Sequence, residues 1–364
     1  MSRPKIADHV KAVCCTDTVG AVAAFEVISR RSSAARADAE ARWATSAPAA
    51  GSLDHWAALF GEAGRLTVNF HPDRVSRSGR SVAAGLAADG FYRTQWATGV
   101  TAGSRSAVNG GERQRFEREF FAGAYESTDP SSGEHPVYGA LDLLFDHHGG
   151  SPRFGSCFVV LEPHVRDRTT FSLGDSYLAP PDVGTFAEPW SVLAGLAEQA
   201  LRGELLDRPL GSDVLLQMLE GSYRSGGAGR DLDGYVEVQI HGGVSLVDDV
   251  EAIILDPSFR ESSVERDIRT AAARYGFEIA WHDGSEIEVD DVPDDFRGPT
   301  MQGLASRVAR EDSIVDAHAI GVAAARERFE EPTTHGDPHE SPLQQLKYLW
   351  HTLLAYGSDV TTRL

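Results

Sequence analysis

Glu237 and Gln239 stand two residues apart in an apolar stretch, residues 234–256 (GYVEVQIHGGVSLVDDVEAIILD), where they alternate with Val236, Val238 and Ile240. Side chains two apart on a strand point to the same face, so an acid and an amide would project together. A carboxylate held this way suits the stabilisation of a developing positive charge; the plain alternative is a salt-bridged strand residue. His241 follows directly. Gly242 and Gly243 then read as a tight turn and residues 250–255 as a second strand, giving a hairpin.

Two further constellations precede it. Asn69, His71, Asp73 and Arg74 cluster where a short strand, residues 66–70, ends at Pro72. Tyr92, Arg93 and Gln95 are followed by Thr98, Thr101 and Ser104, interleaved with glycines that let backbone N–H groups approach a ligand. Each set has a bland reading as strand end, turn or loop. A metal site is the third possibility, from His147 and His148 with Asp142 or Asp146. The two histidines lie five and six residues beyond Asp142, which is no common helical face, so no metal ligand is assigned. His335, His339 and His351 are scattered over a loop and a helix and read as solvated. Cys157, on a strand with nothing near to lower its pKa, reads as a buried structural thiol.

These residues must be positioned by a chain of 364 residues, long enough to bury a full core. Its net charge of −20 disfavours binding to duplex nucleic acid, although a focused cleft could still hold a few cations. Three cysteines, two of them the adjacent Cys14 and Cys15, make neither a disulfide framework nor a CxxC site. No signal-like N-terminal segment and no run of eighteen apolar residues occurs, so the expectation is a cytoplasmic protein without a membrane span.

The order of elements is mixed. Residues 1–63 form a helical segment broken near Pro48, and residues 64–285 an α+β unit carrying all three constellations. Residues 286–364 comprise an acidic loop (286–295) and helices over 301–329 and 342–356. Residues 91–99 fit a strand or a short helix equally. Ser262 opens a capped helix running to residue 275, and strands are expected at 156–161, 169–173 and 277–281.

The order of the constellations resembles the ADP-ribosyltransferase superfamily, in which His or Arg, then Tyr or Ser/Thr, then Glu or Gln occupy successive strands. Residues 236–250 resemble its last motif. Through FHPDR, GxYRxQxxTG, SPRFGS and LDPSFR, residues 65–280 also resemble a bacterial family of uncharacterised function. The first resemblance implies a split antiparallel sheet with helical ends, and NAD as substrate. It implies that His71 bonds the adenosine-side ribose and that Glu237 is the catalytic carboxylate, with Gln239 orienting the acceptor. The second motif is filled by Tyr92, stacking on nicotinamide, or by Thr98 and Thr101. Arg74 or Arg93 would face the pyrophosphate. The implied activity is transfer of ADP-ribose to a protein, single-stranded nucleic acid or small molecule by a toxin-like effector with an antitoxin or regulatory partner. Loss of one such charge-stabilising group typically costs ~3–4 kcal/mol in barrier. The competing readings are a metal-assisted hydrolase using His71, Asp73 and the His147-His148 pair, and a non-enzymatic ligand-binding domain.

Overall fold

The computed structural model describes residues 19–100, 107, 110–129, 133–224, 232–327 and 341–360. Thr101 and Ser104, Cys14 and Cys15, and His335 and His339 lie outside the described residues. The chain opens with helices α1 (Val19–Ser46) and α2 (Leu53–Phe60), separated by a 3-10 turn at Pro48–Ala50, where the sequence places the break. Then come β1 (Arg65–Phe70), α3 (Val82–Asp89), β2 (Phe91–Tyr92), α4 (Gln95–Thr98), α5 (Glu112–Phe120) and β3 (Val137–Asp142). Next are β4 (Cys157–Leu161), β5 (Thr169–Leu173), β6 (Val183–Thr185), α6 (Trp190–Arg202) and α7 (Ser212–Leu219). The chain continues with β7 (Val236–Ile240), β8 (Val244–Ser245), β9 (Val250–Leu255), α8 (Ser263–Tyr275) and β10 (Glu278–Trp281). It closes with β11 (Glu286–Glu288), α9 (Met301–Val308), β12 (Ile314–Asp316), α10 (Ala317–Glu327) and α11 (Pro342–Tyr356).

The architecture is α+β. Eight strands form one sheet in the order β10-β9-β4-β1-β3-β7-β5-β6, and the split sheet expected is here one continuous hydrogen-bonded ladder. Every neighbouring pair is antiparallel except β9 and β10, which run parallel because α8 carries the chain back between them. As expected, the Ser262 hydroxyl caps that helix by accepting from the Glu265 N–H.

The register divides the sheet into two chemically different faces. Leu66, Val68, Val137, Leu141, Val236, Val238, Ile240 and Phe171 share one face and enter the main core. The other face carries Thr67 and Asn69 on β1, Tyr138 on β3, Glu237 and Gln239 on β7, and Thr170 and Ser172 on β5. Trp43 and Phe60 from the first helices and Trp350 and Leu353 from α11 belong to that same core.

Three expectations are corrected. Residues 234–256 are not a hairpin: β7 and β9 are separated in the sheet by β3, β1 and β4. Gly242 and Gly243, with φ of +82° and +78°, instead turn the chain off the sheet so that β8 pairs with β2. Residues 286–295 are not simply a solvated loop, because β11 pairs with β12 and buries Glu286 and Ile287. That same pairing interrupts the helix expected over 301–329, leaving α9 and α10 on either side of β12. Among the described residues no helix is long and apolar enough to cross a membrane.

Candidate active site

His71 and Glu237 line one cleft of about 680 Å³ that also takes in Tyr92, Thr98 and Arg74. That volume lies within the usual range of small-ligand sites. His71 leaves the end of β1 and packs its ring edge-on to Trp350, with centroids 5.3 Å apart. Burial, aided by Arg74, His351 and Lys347, holds its imidazole well below its ordinary pKa, so it is neutral near pH 7.

Glu237 projects from the polar face of β7 and is buried. One carboxylate oxygen, Oε1, accepts from the Ser176 backbone N–H at 3.3 Å and from Gln239 Nε2 at 3.0 Å. Oε2 accepts from the Tyr235 hydroxyl at 3.4 Å. Burial raises this carboxyl to about 7, and the neighbouring Asp175 carboxylate, which also lines the cleft, pushes in the same direction. A cleft carboxyl raised by burial and by a like charge is a candidate for a functional group.

Gln239 is placed differently from expectation. It is fully buried and absent from the cleft wall. Its amide lies against Glu237, Thr170 and Ser172, so it holds the carboxylate instead of meeting an acceptor.

Tyr92, on β2, is edge-on to Phe70 with centroids 5.8 Å apart. Thr98 ends α4, its hydroxyl donating to the Thr94 carbonyl at 3.0 Å. Residues 91–99 are thus both a strand and a helix, and Tyr92 and Thr98 both reach the cleft; Thr101 lies outside the described residues. Arg74 and Arg93 line it too; Arg93 pairs with Asp89 at 3.6 Å, whereas Arg74 Nη1 has no hydrogen-bond partner.

Asp73 does not line the cleft. Its carboxyl is packed against Gly321 of α10, where any side chain would overlap it. His147 is exposed and paired with Asp283 at 2.8 Å, while His148 is buried against His282. Among the described residues no three His, Cys, Asp or Glu side chains gather as metal ligands. Cys157 is buried, with its thiol pKa pushed up by burial.

Several residues at this site are not singled out by the sequence. Asp175 and Ser176, on the turn after β5, reach Glu237 only because β5 pairs with β7. His351 reads from the sequence as solvated but is buried on the cleft wall, its imidazole held far below its ordinary pKa by burial. A signal for it exists: Gln344, Lys347, Tyr348 and His351 recur with helical spacing along one stripe of α11, and all four line the cleft.

Glu117 was likewise unforeseen. Buried beneath the aromatic side of the cleft, it accepts from Tyr138 at 3.0 Å and Trp96 Nε1 at 3.2 Å, and lies 2.7 Å from His135 Nδ1. It thereby fixes two rings, Trp96 and Tyr138, that form the wall.

The short motifs sort into positioning roles. In SPRFGS, Gly155 lies so close to Phe70 that a Cβ would run into its backbone, which brings Arg153 and Phe154 to the cleft beside His71. In LDPSFR, Asp256 caps the turn by accepting from the Ser258 N–H at 2.9 Å.

A family model described as a protein of unknown function, DUF3626, matches residues 65–356. The chain is also similar to the "Gene 2 protein" of Mycobacterium phage L5, at 30% identity over 121 residues. The "Gene 2 protein" of Mycobacterium phage D29 is 29% identical over 119 residues. Each match covers 33% of this chain and 44% of the phage protein, so the chain spans less than half the length of these relatives.

Proposed function

The chain belongs to the DUF3626 family, and we propose that it is an NAD-dependent ADP-ribosyltransferase, a toxin-like effector acting in the cytoplasm. The observation that carries this reading is that His71 and Glu237, far apart in sequence, line the same cleft. We read the eight-stranded sheet as a variant of the ADP-ribosyltransferase core with helices added at both ends.

In this reading Glu237 accepts a hydrogen bond from the 2′-hydroxyl of the nicotinamide ribose. It stabilises the cation that forms as the C1–N bond breaks and nicotinamide leaves with the bonding electrons. The acceptor's lone pair then closes on C1, and its proton leaves to Glu237 or water. Neutral His71 can both donate to and accept from ribose hydroxyls. Tyr92 offers a ring for nicotinamide, Thr98 a hydroxyl, and Arg74 a guanidinium for the pyrophosphate. The acceptor is a protein, a single-stranded nucleic acid or a small molecule, and an antitoxin or regulatory partner would restrain the activity.

The test is nicotinamide release from NAD, together with calorimetric binding of NAD. Glu237→Gln should bind NAD within a few-fold of the parent and lose turnover by about 10²–10³. Undiminished turnover in that variant, or no NAD binding by the parent chain, would overturn the proposal.

A further inference from the structure

We propose that Tyr125, His241 and Thr170 are positioning residues that act through Gln239 to aim the Glu237 carboxylate into the cleft. This deepens the reading above and rests on it only for the chemistry, because the geometry stands by itself.

Together with Gln239 and Glu237 they form one buried chain of five residues joined by four hydrogen bonds. The Tyr125 hydroxyl is 2.6 Å from His241 Nδ1, His241 Nε2 is 3.0 Å from Thr170 Oγ1, Thr170 Oγ1 is 2.9 Å from Gln239 Oε1, and Gln239 Nε2 is 3.0 Å from Glu237 Oε1. All five residues are buried.

Its direction is fixed by elimination. The Ser172 hydroxyl donates to the Gly174 carbonyl, so its oxygen accepts from Gln239 Nε2 at 3.3 Å. That sets the amide with its nitrogen toward Ser172 and Glu237 and its oxygen toward Thr170. An amide oxygen cannot donate, so the Thr170 proton points to Gln239. His241 Nε2 must then carry hydrogen and give it to Thr170, which leaves Nδ1 to accept from Tyr125. Burial, with Arg168 nearby, keeps His241 neutral by depressing its pKa to about 3, which this single tautomer requires. Every donor points the same way, toward Glu237. The chain crosses from the segment after α5, through the end of β7 and across β5, so it fixes the carboxylate against Tyr125, His241 and Thr170, none of which lines the cleft.

The other groups facing Glu237 are Asp175, Tyr235 and Tyr138, with the Ser176 N–H. Of these, the Tyr235 hydroxyl and the Ser176 N–H donate to the carboxylate, Asp175 opposes its charge, and Tyr138 donates to Glu117; the remaining donor, the amide of Gln239, is the one that the Tyr125–His241–Thr170 chain reaches. Removing the Thr170 hydroxyl takes the donor from Gln239 Oε1 and leaves the Ser172 oxygen alone to orient the amide, which loosens the bond from Gln239 Nε2 that favours the charged carboxylate.

The experiment compares Thr170→Val, Thr170→Ser and Tyr125→Phe with the parent. Two readouts serve. One is the titration midpoint of the Glu237 carboxyl by ¹³C NMR of glutamate-labelled protein, assigned with Glu237→Gln. The other is kcat and KM for NAD across pH. Thr170→Val should raise the Glu237 midpoint and move the acid limb of kcat by the same amount. It should also lower kcat roughly tenfold or more while KM stays within about twofold. Thr170→Ser should restore both, and Tyr125→Phe should shift the midpoint in the same direction by less. A Thr170→Val protein that melts lower but keeps the parent's Glu237 midpoint has only lost packing, and that overturns the proposal. A shifted midpoint in a chain that never turns over NAD sustains the positioning chain and overturns the assigned reaction instead.

Discussion

The ring of His71 rests edge-on against Trp350, so the helix nearest the C-terminus is built into the site. Trp350 is fully buried and donates its Nε1–H to the Pro152 carbonyl at 2.9 Å, which ties α11 to the SPRFGS turn and to the strand end bearing His71. Trp350→Ala should therefore destabilise the protein by about 3–5 kcal/mol. In urea titrations at a condition where the variant is still folded, NAD binding should also weaken. Loss of stability with unchanged binding would separate α11 from the site.

The Asp175–Glu237 pair sets a pH dependence. Glu237 is raised from the ordinary carboxylate range to about 7, with burial as the larger cause and Asp175 the second. If ionised Glu237 is the active form, kcat should rise with pH and level off above about 7. Asp175→Asn removes a neighbouring negative charge and should move that limb to lower pH. A limb that stays put, or moves up, contradicts the electrostatic account.

The same shift makes a stability prediction of definite sign. A carboxyl whose folded pKa exceeds its unfolded value binds its proton more tightly when folded. Its contribution is fully present below about pH 4.5 and is lost as pH rises to about 7. Glu237→Gln should therefore be more stable than the parent at pH 8, by about 1–3 kcal/mol, and no more stable at pH 4. Denaturant midpoints at the two pH values measure this directly.

Gly155→Ala tests the turn that brings Arg153 to the cleft. The added methyl would meet the Phe70 backbone, which cannot yield without moving the end of β1. A loss of about 1–3 kcal/mol is expected, with weakened NAD binding in the folded fraction.

Glu117→Ala would leave the donors of Trp96 and Tyr138 without their carboxylate in a buried site. Removing one partner of such a network costs roughly 3–5 kcal/mol. A red shift of Trp96 emission, as the ring leaves its pocket, would report the change in the cleft wall.

The alternation of Val236, Val238 and Ile240 with Glu237 and Gln239 determined β7 and put its two polar side chains on one face. Extended geometry leaves no other outcome. Ser262 determined the start of α8, because its hydroxyl satisfies a free N–H there whatever the surroundings. The β-forming residues of 66–70 and 169–173 and the apolar run of 157–161 likewise determined three strands. None of these local rules says which strand lies beside which. The pairing of β7 with β3 and β5 came from long-range register, and it brought Asp175 and Ser176 to Glu237 and turned Gln239 inward. Gly242 and Gly243 allow a hairpin or a departure from the sheet equally well, since positive φ serves both; the pairing of β8 with β2 decided it. His351 is polar and sits on a helix, which alone predicts exposure. It is buried because α11 packs against the end of β1, and that contact joins residues distant along the chain.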